Sequence, residues 1–291
     1  ISMISQWWPR RNRGMAMGIV GTAAGGAMVM MWWISGYVGA EWGWRASFRY
    51  PPIIIAVLGI AFYFVAKDRP SEVGLPEYIE EDQVSATPEA IDPERLKGLG
   101  PYKELLSNPR FLLASHVKGL ENVVRYGLTT WVPIYYFEEG RLSIESTILL
   151  TILLPLGYLI APPVSGIISD RFLGSRRMPM VIFSCTASSI VLVAIALAPP
   201  VNITLGAVLL LIGGLSMGMS PISTIAVDIA GRHMAGTSSG LLDAHGYAYA
   251  GGQALIFAAV LDMAGSPWPI VFLAMAATRV ISGLMIYRVK V

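Results

Sequence analysis

Four residues spaced by helical turns carry the chemistry of this chain: Lys118, Glu121, Asn122 and Arg125 stand inside the apolar stretch 111–137. At about 100° of rotation per residue they share one helix face roughly 100° wide. Ionisable groups at membrane depth are costly and mark ion or substrate pathways. Arginine's planar fork binds phosphate or carboxylate through two parallel hydrogen bonds and stays charged, so Arg125 is the first candidate for holding an anion. Lys118 adds a point charge two turns away, and Asn122 and Tyr126 add polar groups beside it. Glu121 and Arg125 are i,i+4 neighbours, close enough to pair. The expectation is that Glu121 neutralises and orients the guanidinium until an oxyanion competes for its donors. The plainer alternative is an internal ion pair that fixes helix packing.

A second cluster, Asp243, His245, Tyr247 and Tyr249, lies in a later apolar run, with His245 and Tyr249 i,i+4. A histidine changes protonation near neutral pH, so His245 and Asp243 are candidates for coupling, and His245 and Tyr249 for substrate contact. The plainer reading of His245 is a hydrogen-bonded packing residue. Asp228 with Arg232, i,i+4, and Asp170 with Arg171 read as gating or structural pairs at the cytoplasmic mouth, valuable where they differ between states. Arg279, midway along the last apolar run, reads as a snorkelling or packing residue. No nucleophile and base pair, phosphate-cradling glycine loop or metal-ligand spacing occurs, so the expectation is a protein that is not an enzyme and uses no metal or other cofactor.

The elements that must position these residues are membrane helices. The 291 residues are 54% hydrophobic and 14% charged, with a mean hydropathy of +0.59, far from a soluble average. Of the 40 formal charges, 16 fall between residues 67 and 110, so the apolar remainder is sparsely charged. The single cysteine, Cys185, excludes a disulfide framework. The expected partners are a small anionic substrate and membrane lipid, not nucleic acid. Eight stretches are long enough to span a bilayer: 14–39, 46–66, 109–137, 146–169, 178–198, 203–231, 236–262 and 268–288. They divide into a two-helix remnant at 1–66, a proline-rich linker at 67–107 and a six-helix bundle at 108–291.

Nine basic residues, from Arg10 to Lys290, fall on one side of this arrangement and three, Arg45, Arg49 and Arg141, on the other. By the positive-inside rule both ends and the linker are cytoplasmic, in an inner-membrane protein. The opening residues, Ile1 to Trp8, read as the end of a helix entering a basic loop, so the chain is expected to lack helices at its start, and those missing helices are expected partners of the bundle.

Several motifs resemble the major facilitator superfamily of transporters. The run Gly166 to Arg171, followed by Gly174-Ser175-Arg176-Arg177, is similar to its loop between the eighth and ninth helices, with one extra residue of spacing. The run Trp7 to Gly14 resembles its loop between the fourth and fifth. Within the superfamily the sequence resembles the organophosphate:phosphate antiporters through Gly43-Trp44-Arg45, Lys67-Asp68-Arg69-Pro70 with Val73-Gly74-Leu75-Pro76, Val124-Arg125-Tyr126-Gly127 with Trp131, Pro133 and Tyr135, and Gly236-Thr237 with Gly240, Gly246 and Tyr247. The resemblance implies an all-α polytopic membrane protein with a partial major-facilitator fold, in which Arg125 takes the central phosphate-binding role. It also implies exchange of an organic phosphate for inorganic phosphate. The pattern departs at Ala24 and Asn122, where the glycerol-3-phosphate members carry histidine and tyrosine, and at Asp243 and His245, which stand where those members are uncharged. The alternatives are a proton-coupled carrier of another organic anion and a transporter-like membrane sensor.

Overall fold

The computed structural model describes residues 2–76, 98–174, 176–263 and 268–288, and all regular structure among them is helical. The helices are α1 (Ser2–Trp7), α2 (Arg10–Trp42), α3 (Trp44–Val65), α4 (Gly100–Ser107), α5 (Pro109–Glu138), α6 (Ile144–Thr151), α7 (Leu153–Phe172), α8 (Met178–Leu197), α9 (Ile203–Gly218), α10 (Ile222–Ala230), α11 (Ala235–Leu261) and α12 (Trp268–Ile286). Most of the expected linker, residues 77–97, lies outside the described residues. At its near edge the chain makes a single 3-10 turn, Pro70–Val73.

Three helix starts among the described residues are fixed by side chains that satisfy orphan amides. Asn108 accepts from the Arg110 and Phe111 amides ahead of Pro109, which needs no donor at that position, and so fixes the entry of α5. Ser143 caps α6 and Asn202 caps α9 in the same manner. Two of the eight apolar stretches are broken. Pro155 has no amide to give the Thr151 carbonyl, and the ladder restarts at α7. Pro221 likewise separates α9 from α10.

Among the described residues, six stretches are long and apolar enough to cross a membrane: Met15–Gly39, Trp44–Val65, Ile144–Phe172, Met178–Leu197, Ile203–Ala230 and Trp268–Ile286. Helices α5 and α11, of 30 and 27 residues, have the length but carry more polar groups. Packing runs α11, α5, α12, α8, α9, α7 in spatial order, with α2 laid along α7 and α3 resting chiefly on α2. Backbones meet directly at two seams. A Cβ at Gly18 of α2 would sit 2.6 Å from the Pro162 carbonyl oxygen of α7, and one at Gly157 of α7 would strike the α9 backbone at Gly214. The most apolar window of α3 buries none of its residues, and aromatic side chains stand at both its ends: Trp44 and Phe48 at one, Tyr63 and Phe64 at the other.

Among the described residues the core has three apolar clusters; one joins Leu105, Phe111, Ala226, Ala230 and Leu242, and a polar layer lies between the other two. In the larger, Tyr135 packs against Trp268 and Phe272 with ring centroids 5.3 and 5.1 Å away. The smaller joins Ala114, Val117, Val181, Ile222, Ile225 and Ile286. In the layer between lie Glu121, Ser184, Ser188 and Arg279. Arg279 therefore does not snorkel: it has no exposed surface and bonds within the bundle.

Candidate anion-binding cavity

One stripe of α5 brings Lys118, Glu121 and Arg125 onto a cavity of about 280 Å³. Its other walls are α2 at Met17 and Gly21, α7 at Tyr158, and the break between α9 and α10 at Ser220. The helix makes this stripe because residues one and two turns apart stack on one face.

The Arg125 guanidinium carbon lies 5.2 Å from the Tyr158 ring centroid, within cation–π range. Tyr158 is itself held by a bond from its hydroxyl to Met217 Sδ at 3.3 Å. Arg125 Nε is buried without an acceptor, and no carboxylate among the described residues lies within 4.0 Å of Arg125 or of the largely buried Lys118.

The expected Glu121–Arg125 pair is not formed. Glu121 Oε2 instead accepts from Ser220 Oγ at 2.8 Å and faces Arg279 Nη1 at 4.0 Å. The i,i+4 rule describes what is near along one helix, and here partners from α12 and the α9–α10 break compete successfully for the carboxylate. The net result is a cavity wall with three cations, of which Arg177 is already paired with Asp170 and Asp228, and a carboxylate, Glu121, engaged from behind.

The remaining candidates lie along the seam between α5 and α11. Asn122 is buried where Gly246 passes so close that a Cβ would collide with its amide nitrogen. The Tyr126 and Tyr247 rings meet at a tilt of 51°, with centroids 5.7 Å apart. His245 Nδ1 pairs with the Leu241 carbonyl at 3.0 Å, and its ring lies 5.9 Å from His116, whose Nδ1 meets the Tyr249 hydroxyl at 3.1 Å. Asp243 is exposed. None of these five lines the cavity. His116 was passed over in the sequence because its partner, Tyr249, comes from a distant helix.

Two of the expected gating residues meet through a third: Asp170 and Asp228 both take Arg177, at 3.4 and 2.7 Å. Gly231, at φ 76°, ends α10 between Asp228 and Arg232, so the two are not one turn apart on a continuous helix; the Arg232 side chain lies outside the described residues. Arg171 is exposed. Asp170 Oδ2 also accepts from the Met15 amide at 2.8 Å, which ties this cluster to α2. Arg177 is the residue the sequence understated; its only signal was its place in the basic loop after α7.

Comparison with known proteins gives the same picture at larger scale. The profile of the Major Facilitator Superfamily matches residues 1–252. The chain is 27% identical over 212 residues to the glycerol-3-phosphate transporter of Bacillus subtilis (strain 168), covering 70% of this chain and 47% of that protein. It is 26% identical over 204 residues to the hexuronate transporter of the same organism, covering 67% and 45%. In structure, the fucose:proton symporter of E. coli matches 100% of this chain and 72% of its own, with a TM-score of 0.73 at 12% identity, a likeness of fold. The chain spans about half the length of the curated relatives it matches.

Proposed function

The chain belongs to the Major Facilitator Superfamily, and on that premise we propose that it forms part of a secondary active transporter that exchanges an organic phosphate for inorganic phosphate by alternating access. The substrate is of the glycerol-3-phosphate or sugar-phosphate type. Family and fold are those of multi-pass membrane transporters, not of enzymes.

The observation that carries this reading is the pair of cations, Arg125 and Lys118, in the cavity wall without a carboxylate of their own. A largely buried cation without a counter-ion is expensive. A phosphate supplies the missing charge, taking the fork of Arg125 through two parallel bonds and the ammonium of Lys118 as a point charge. The similarity to a glycerol-3-phosphate transporter supports the same choice. Asp170, Arg177 and Asp228, joined to α2 through Met15, serve as the gate whose contacts differ between states. The protein sits in the cytoplasmic membrane with both ends of this chain inside.

The second reading is a proton-coupled carrier of a sugar acid, favoured by the similarity to a hexuronate transporter and by the same fork chemistry toward a carboxylate. His245 and Asp243, which would supply its coupling, stand off the cavity. Liposomes separate the two. Phosphate exchange is supported when labelled glycerol 3-phosphate enters protein-containing vesicles only if phosphate is trapped inside. Uptake of a hexuronate driven by a pH gradient, with no need for internal phosphate, would establish the second reading in its place.

A further inference from the structure

Arg279 is the largest side chain in the molecule with no exposed surface among the described residues. Burying a guanidinium is costly unless its donors are engaged. Its Nε donates to Ser188 Oγ and its Nη2 to Ser184 Oγ, both at 2.8 Å. Those hydroxyls sit on successive turns of α8 and aim the third nitrogen, Nη1, which makes no hydrogen bond, at Glu121 Oε2, an ion pair at 4.0 Å. Ser220, in the break between α9 and α10, donates to that same oxygen at 2.8 Å. Glu121 is thereby drawn toward α12 and the helix break, although two cations of α5 flank it within about a turn, Lys118 three residues before and Arg125 four after. Arg125 Nε meets no acceptor.

A carboxylate and a guanidinium at i,i+4 pair readily when nothing competes, and exclusion of water strengthens the attraction. A Glu121 released from Arg279 would turn onto Arg125 and act as an intramolecular anion on the donors the substrate needs. We propose that Arg279 is a positioning residue that prevents this: it holds Glu121 back so that Arg125 and Lys118 remain free for the transported anion, which Arg279 itself never touches. The inference rests on the reading of the cavity as an anion site. It gives the last membrane helix a role in affinity although that helix contributes nothing to the cavity wall.

The test measures binding of labelled inorganic phosphate and glycerol 3-phosphate to the purified full protein in lipid. Arg279→Gln is expected to weaken binding roughly tenfold or more. The double variant Arg279→Gln/Glu121→Gln, which also removes the competing carboxylate, is expected to return to within about threefold of the parent. A single variant that binds like the parent, or a double variant as weak as the single, overturns the proposal. Where Arg279→Gln alone does not fold, the double variant decides by itself: near-parent affinity supports the role and a loss of about tenfold overturns it. A ligand-free measurement stands apart from the anion reading. In melting experiments the coupling between Glu121 and Arg125, taken from Glu121→Gln, Arg125→Gln and their combination, is expected to be absent beside Arg279 and present beside Arg279→Gln. Equal coupling in both backgrounds overturns the positioning role. A parent protein that binds neither anion counts against the anion reading alone, and the melting cycle still decides the role of Arg279.

Discussion

Lysine cannot replace Arg125, because both things the structure asks of that residue depend on a planar group: a fork open to an oxyanion and a flat face 5.2 Å from the Tyr158 ring. Arg125→Lys is therefore expected to insert and fold yet lose exchange by about tenfold or more, and Arg125→Ala to lose more. Normal phosphate exchange in liposomes by both variants would remove Arg125 from the site. Tyr158→Leu removes the ring and is expected to weaken anion binding about fivefold, read by titration with labelled phosphate. Arg125 and Lys118 were legible in the sequence because a charge inside an apolar run stands out in one dimension. The partner of Glu121 was not legible. Spacing along α5 offered Arg125, whereas the carboxylate answers to Ser220 and Arg279, which arrive only when the α9–α10 break and α12 pack against α5. His245 and Tyr249 failed as cavity residues for the same reason: periodicity put them on one stripe of α11, but which way that stripe turns is fixed by Gly119 and Gly246, where α5 and α11 approach closely.

Helices that touch through their backbones leave no room for a methyl group. Gly18→Val drives new carbons into the Pro162 backbone of α7, and the expected cost is about 1–3 kcal/mol, seen as a lower melting temperature together with impaired exchange. An unchanged melting temperature would show that α2 does not lie along α7 as described. Where α7, α8 and α10 meet, Arg177→Gln leaves Asp170 and Asp228 without their shared cation; both ends of the Arg177–Asp228 pair are nearly fully buried, so a loss on the order of 3–5 kcal/mol is expected. Denaturation monitored in detergent checks this, and a loss below 1 kcal/mol, about the worth of an exposed pair, would speak against a buried latch. The helices themselves were readable, since about twenty apolar residues in a row admit few other structures. The breaks at Ile152 and at Met219 to Pro221 were not placed in advance, although Pro155 and Pro221 carry the physical cause. Charges at Asp170 and Asp228 were visible, but Arg177 was counted only as a loop cation until three elements converged on it.

At the scale of the whole molecule, the uneven spread of basic residues makes a directional prediction. A cysteine placed at Ser85, in the expected linker, should react with a membrane-impermeant reagent only from the cytoplasmic side, and labelling of intact cells from outside would invert the topology. Helix α3 adds a different constraint. Its 22 residues span about 33 Å, close to the roughly 30 Å of a bilayer's hydrocarbon, and its aromatic ends sit where such rings prefer the boundary with the headgroups. Among the described residues α3 rests chiefly on α2, and its most apolar window buries none of its residues. A helix of this length with aromatic ends matches one membrane thickness. In vesicles of graded acyl-chain length, the protein's transport rate should pass through a maximum and decline as the bilayer becomes either too thin to cover α3 or too thick to leave its aromatic ends at the boundary.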